Sequence, residues 1–198
     1  MKILIIGASG IIGKPLYDTL KNEHEVFGAY RSNTQFPVDT RDKLSIRTLF
    51  EKLPKLDAVI NVAGSGAWKS FDQMTEEDYE LGIKDKLMGQ VNLAHTASDL
   101  LQPNGSIILT TGILADYPEH SSTGLALVNG ALHSFVMAAA PQLKNNIRLN
   151  VVSPGAVESH VEEGQLFAGH KPVTIEAVIK LYKHVLLGTE SGKIFRIY

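Results

Sequence analysis

MKILIIGASGIIGKP, residues 1–15, decides how the rest of the chain is read. Lys2–Ile6 is too apolar for a half-exposed strand. It reads as a strand buried on both faces, the habit of a central parallel strand. Gly7, Gly10 and Gly13 come next, and an apolar, helix-like stretch runs from Ile11 to Leu20. Glycines at such a junction let the backbone turn from strand to helix with no side chain in the way. The free N–H groups of a helix start are a seat for a pyrophosphate. Three glycines at this spacing are a weak signal alone. Their place between a buried strand and a helix favours nucleotide binding over a plain tight turn.

Working outward, 198 residues are enough for one domain, 1–198, with a substantial core. The net charge is -2 and no basic block occurs, so no nucleic-acid surface is expected. The absence of cysteine excludes disulfides, thiol catalysis and cysteine metal sites. The 7 histidines include no pair three or four apart, and no metal site is expected. No apolar run approaches the ~20 residues of a membrane span, so no membrane partner is expected. The N-terminus shows no charged leader, and a cytoplasmic protein is the expectation.

Glu25–Tyr30 reads as a second strand beside the first, with the helix Ile11–Lys21 crossing between them in the right-handed sense. Phe36–Asp39 is a short extended piece, and Thr40 or Asp39 caps a helix over Arg41–Leu53. Asp57–Val62 is another buried strand, ending in Ala63-Gly64. Thr75 caps a long helical region to Leu101, with acids in its first turn. Ser106–Thr111 is a strand, Ser122–Leu143 a small-residue helix bent or stopped near Pro141, and Ile147–Ser153 a strand closed by Pro154-Gly155. Glu158–Lys171 reads as a surface loop or short lid, Pro172–Leu187 as the last helix, and Gly192–Tyr198 as an edge strand. Trp68, the single tryptophan, reads as a loop aromatic packed on the surface. This alternation gives an α/β fold: one Rossmann-like, doubly wound parallel sheet of about seven strands with helices on both faces.

In such folds the end of the second strand reads the adenosine ribose. No acid stands between Val26 and Val38 to bond a 2′-hydroxyl. Arg31 and Ser32 could instead hold a 2′-phosphate, which points to NADP, with NAD the lesser alternative.

The chain resembles the short-chain dehydrogenase/reductases over nearly its whole length. The resemblance rests on Gly7-x-x-Gly10-x-x-Gly13, Asp39, Asn61-Val-Ala-Gly64, Gly130-Ala-Leu-His133 and Val152-Ser-Pro-Gly155. It implies NAD(P)-dependent oxidation of alcohols or reduction of carbonyls, in dimers or tetramers. The cofactor-binding positions it implies are Gly7, Ser9, Gly10, Ile12, Gly13, Arg31, Ser32, Asp39, Asn61, Ala63, Gly64, Pro154 and Gly155. The match departs where the chemistry should be. The family's Tyr-x-x-x-Lys pair falls on Leu125 and Asn129, its serine on Thr111 (or Thr110), and its asparagine on Lys86. The sequence looks like a member of a divergent bacterial subgroup with a T-T-G-I segment and no standard active-site residues.

Leucine cannot transfer a proton, and threonine is too weak an acid for general acid catalysis near neutrality. Lys86 and Thr111 are therefore the candidate catalytic residues, one supplying charge and the other a hydrogen bond to a developing alkoxide. Tyr117 and His120 are candidate acids that no spacing rule selects. Three readings follow: an NADP-dependent oxidoreductase with a rebuilt site and an unknown small-molecule substrate, a non-catalytic NADP-binding sensor, and a scaffold that no longer binds nucleotide. A homodimer or homotetramer through the two long helical segments fits each.

Overall fold

The computed structural model describes residues 1–162 and 164–198. Six parallel strands form one sheet: β1 (Lys2–Ile6), β2 (Glu25–Ala29), β3 (Ala58–Asn61), β4 (Ser106–Thr110), β5 (Arg148–Pro154) and β6 (Ile194–Ile197). Their order is β2-β1-β3-β4-β5-β6. Six α-helices connect them: α1 (Gly13–Leu20), α2 (Lys43–Glu51), α3 (Glu76–Gly82), α4 (Met88–Leu100), α5 (Thr123–Ala139) and α6 (Ile175–Leu187).

The strands form where the apolar runs predict them, and each strand alternates its side chains between two cores. Leu4 and Ile6 of β1 point into the core closed by α2, α4 and α5, together with Ile46, Leu93 and Leu132. Ile3 and Ile5 point into the core closed by α1 and α6, together with Leu16, Val178 and Tyr182. Helices on both faces leave no wet side to the sheet, which explains the unbroken hydrophobic runs.

Several boundaries differ from the sequence reading. Phe36–Asp39 forms no strand, so β2 is a sheet edge. Asn33 covers part of that edge by donating from Nδ2 to the Gly28 carbonyl at 2.8 Å. The next helix begins at Lys43, capped by Asp42 rather than by Thr40 or Asp39, because the Asp42 carboxylate accepts from the Leu44 N–H. The long helical region after Thr75 is two α-helices joined by a π turn, Ile83–Leu87. One helix, Thr123–Gln142 with its terminal 3-10 turn, is long and apolar enough to cross a membrane, with a mean hydropathy of 1.4, where the sequence reading found no such run. Within the fold it lies on the sheet and buries Val128, Leu132 and Val136. Glu158–Lys171 contains a 3-10 turn at Glu158–His160 and bridges joining Val157 to Val173 and Phe167 to His170. Glu163 lies outside the described residues of that stretch.

Candidate functional site

After β1 the chain runs right, to β2; after β2 it returns to β3 on the other side of β1. The crevice outside the carboxyl ends of β1 and β3 is therefore the topological switch point, where open α/β sheets hold ligands. Gly7 leaves β1 at φ +88°, and a Cβ there would meet the Ala63 backbone N at 2.9 Å. A Cβ on Gly13 would lie 2.0 Å from the Gly7 carbonyl oxygen, so no side chain fits at the helix start. Gly10 has more room, its nearest neighbour being the Gly7 oxygen at 3.4 Å. The fold demands glycine at 7 and 13; at 10 a bare backbone chiefly serves whatever approaches from outside. Among the described residues, the N–H groups of Ser9, Ile11 and Ile12 have no backbone acceptor. They lie at the N-terminus of α1, where the helix dipole favours negative charge.

A cavity of about 260 Å³ adjoins this turn, lined by Gly7, Ser9, Gly10, Ala63, Gly64 and Arg31. Arg31 lies 3.5 Å from the Asp85 carboxylate and 3.9 Å from that of Asp39. Asp39 is gripped by Arg41, whose guanidinium holds its carboxyl down to about 2. Both Asp39 oxygens are thus engaged by arginine. Asp85, which the sequence did not single out, is buried and accepts the Ser65 N–H at 2.8 Å. Ser32 is exposed beside Arg31. A larger cavity of about 630 Å³ lies outside β2 and includes Tyr17, Phe27 and Phe36; it meets the smaller one at Ser9 and Tyr30. The glycine turn, Arg31 and Asp85 line the smaller one.

At the other end of the crevice, the Asn61 amide donates to the Ala63 carbonyl at 2.9 Å and shapes the turn after β3. Thr110 is fully committed. Its hydroxyl donates to the Asn61 carbonyl at 2.5 Å and takes a bond from the Tyr182 hydroxyl at 2.6 Å, while its backbone is bracketed by the Gln90 side chain. Thr111 is the next residue. Its hydroxyl lies 2.9 Å from Nε2 of His133, and both residues are buried. Burial pushes the His133 imidazole down, Asp116 pulling the other way and Arg196 reinforcing the depression.

Asn129, one turn before His133, is buried, and its Oδ1 has no partner among the described residues. A Cβ on Gly112 would lie 3.6 Å from the Pro154 oxygen and 3.7 Å from the Asn129 Nδ2, so Thr111-Gly112, Asn129 and Pro154-Gly155 converge. Tyr198 packs on Gly155. Its hydroxyl donates to Asp116, which also accepts two bonds from Arg196 at 2.9 and 3.0 Å.

Lys86 sits on the π turn with its stem against Gly64, where a Cβ would meet Lys86 Cγ at 3.0 Å. Burial pushes its amine down to about 8, opposed by Asp85. Among the described residues it makes no ion pair or hydrogen bond through that amine. Tyr117 stacks on His170 and Tyr198, with ring centroids 4.5 and 5.8 Å away, and His120 is paired with Ser121 at the surface. Trp68 is half exposed and packs on Phe167 at 5.9 Å, an aromatic contact between two loops. The Tyr-x-x-x-Lys spacing is absent from α5, but it does occur on α1 as Tyr17 and Lys21. There Lys21 pairs with Asp18, away from the converging residues. The groups that sequence reasoning missed are Asp85, Asp116, His133, Arg196 and Tyr198. Only His133 carried a signal, as the end of a motif quoted for other reasons.

A doubly wound sheet with a glycine turn at its switch point defines a dinucleotide-binding class of α/β protein. The family model described as enoyl-(acyl carrier protein) reductase matches residues 16–179. The chain is 26% identical over 160 residues to the 3-oxoacyl-[acyl-carrier-protein] reductase FabG of Thermotoga maritima, a match covering 78% of this chain and 65% of that protein. The chain spans about half to two thirds of the length of the curated relatives it matches first. Among solved structures, the protein lin1944 from Listeria innocua superposes with a TM-score of 0.93 at 33% identity, over 100% of both chains. A small-chain dehydrogenase in complex with NADPH gives a TM-score of 0.88 at 21% identity, over 100% of this chain and 96% of that one. The chain belongs to the short-chain dehydrogenase/reductase family, whose members are NAD(P)-dependent oxidoreductases.

Proposed function

We propose that the protein is an NADP-dependent oxidoreductase acting on a carbonyl or alcohol substrate through a rebuilt active site. The observation that carries the reading is the cradle itself: Gly13 excludes any Cβ, Gly10 leaves the backbone bare, and the N–H groups of Ser9, Ile11 and Ile12 have no backbone acceptor among the described residues. Arg31, at the rim of the same cavity, suits a 2′-phosphate, since guanidinium binds phosphate through paired charge-assisted bonds. The NADPH carried by a structural neighbour of the same fold is consistent with this choice. The bound dinucleotide would supply or accept the hydride. Ile12, Gly13 and Gly7 would hold its pyrophosphate, Ala63 and Gly64 its central portion, and Asn61, Pro154 and Gly155 the floor of the reacting end. Thr111 would orient the substrate oxygen, and Lys86 would offset charge developing there.

The second reading is a non-catalytic NADP-binding sensor, and Leu125 and Asn129 in the proton-transfer positions favour it. Titration of the protein with NADPH and NADH, followed by Trp68 fluorescence and calorimetry, tests both. NADPH binding with turnover of any carbonyl or alcohol in a broad panel supports the enzyme. Binding without turnover across that panel supports the sensor. No binding of either nucleotide overturns both.

A further inference from the structure

We infer that His133 is a positioning residue that acts through Thr111, drawing the Thr111 hydroxyl proton so that the hydroxyl oxygen can take a proton from a substrate alcohol. The inference rests on the cofactor seat proposed above, and it answers what that reading leaves open: the family's acid has become Leu125, so the proton must leave by another route. The geometry supplies one. Thr111 stands at the carboxyl end of β4, beside Gly112, Asn129 and Pro154. Its only side-chain partner among the described residues is His133 Nε2, at 2.9 Å. His133 is 7% exposed, in the middle of α5, with the imidazole turned toward β4 rather than outward. A hydroxyl backed by an imidazole is how a weak side-chain acid or base is made effective near neutrality.

The surroundings fix the direction. Burial favours the uncharged imidazole, which is a proton acceptor. Asp116 and Arg196 are the charged groups that act on the ring, with opposite signs, and they are tied to each other by two hydrogen bonds. Tyr198 stands behind Asp116, and the π turn that also packs on α5 carries Lys84, Asp85 and Lys86. With the proton on Nδ1, Nε2 accepts from Thr111. In alcohol oxidation the substrate O–H proton passes to Thr111 Oγ as the Thr111 proton passes to Nε2, leaving an imidazolium. A dinucleotide bound in the seat proposed above would accept the hydride from the carbinol carbon as the oxygen lone pair closes the C=O bond. Atoms and charge balance: one proton ends on His133 and one hydride on the cofactor. Carbonyl reduction runs the same steps backward from the imidazolium.

The test is an NMR titration of the full-length protein with ¹⁵N-labelled histidine, alone and with saturating NADP⁺ or NADPH as probes. The expected neutral form of His133 is the Nδ1–H tautomer. Its titration midpoint should fall by about 0.5 pH unit or more with NADP⁺ relative to NADPH, because the oxidised nicotinamide places a positive charge beside the relay. Thr111→Val should release the tautomer to a mixture, and Thr111→Ser should keep it. A histidine that merely ties α5 to β4 would sense the same charge, so the discriminating readout is the pH profile of alcohol oxidation, whose acid limb should follow the His133 midpoint and disappear in His133→Asn; a profile without that limb overturns the relay. An Nε2–H tautomer, or cofactor binding with identical midpoints for the two forms, overturns the relay alone. Failure of both nucleotides to bind overturns the cofactor reading and the relay with it.

Discussion

Arg31 has two carboxylates within 4 Å yet remains 63% exposed, so its guanidinium is held at the cavity rim without being used up. Removing it deletes a charge-assisted contact on the order of 1–2 kcal/mol. Arg31→Ala should therefore weaken NADPH about tenfold and leave NADH nearly unchanged; equal losses for both would assign Arg31 to the loop and not to the phosphate. Lys86 presents the opposite case, a cation with no ion pair or hydrogen bond through its amine among the described residues. Its folded value, about 8, lies below the ordinary lysine value of 10.5, so the unfolded chain binds more protons between the two. Stability accordingly rises with pH from about 8 toward 10.5, and the cost of the buried amine is fully present below 8. Lys86→Met should raise stability at pH 7 by about 1–3 kcal/mol, the gain shrinking above pH 8, as read by urea unfolding at several pH values. If Lys86 also serves an anionic oxygen, the same variant loses turnover while NADPH affinity is kept.

At the scale of elements, local rules hold where one side chain meets its own backbone. Thr75 closes a capping box with Asp78 ahead of α3, as the sequence Thr-Glu-Glu-Asp implies. Thr75→Ala should cost about 1 kcal/mol in chemical denaturation and leave cofactor binding unchanged. The glycine turn was equally legible, because a strand, three glycines and a helix are contiguous in the chain. What was not legible is what distant elements do to one another. The π turn at Ile83–Leu87 inserts into a region whose composition reads as one helix, and it decides where Asp85 and Lys86 point. The Asp116, Arg196 and Tyr198 cluster joins residues about eighty positions apart, and no spacing rule anticipates it. His133 was quoted as part of a motif, but its partner Thr111 lies on another element, so its role became visible only once α5 was seated on β4. Asp42 caps instead of Thr40 or Asp39, and the Asp39 carboxylate is taken by the backbone N–H and guanidinium of its near neighbour Arg41.

Over the whole molecule, two cores stabilise one sheet, and α5 has one buried side and one exposed apolar side. One side of α5 fills the larger core through Leu132 and Val136. The other side leaves Leu127 and Met137 about half exposed, at 45% and 52%, with Gly130, Ala131 and Ser134 between them at helical spacing. A Cβ on Gly130 would meet nothing within 4 Å, so a partner backbone could come close there. The helix gives up core contacts on that side without gaining charge, which is the profile of an interface helix and which also explains why its composition resembles a membrane span. A two-fold axis across this face would bury it against itself and satisfy the usual symmetry of homo-oligomers. Light scattering should then give at least twice the 21.6 kDa of one chain. Ala131→Arg should bring that mass down to the monomer with little change in unfolding midpoint, because Ala131 lies outside the buried set of α5. A monomer in the unsubstituted protein, or a dimer indifferent to Ala131→Arg, would place self-association elsewhere or remove it. The outcome bears on the site as well: α5 carries Asn129 and His133 on its buried side, so pairing of its outer face would stiffen the element that holds the proposed relay.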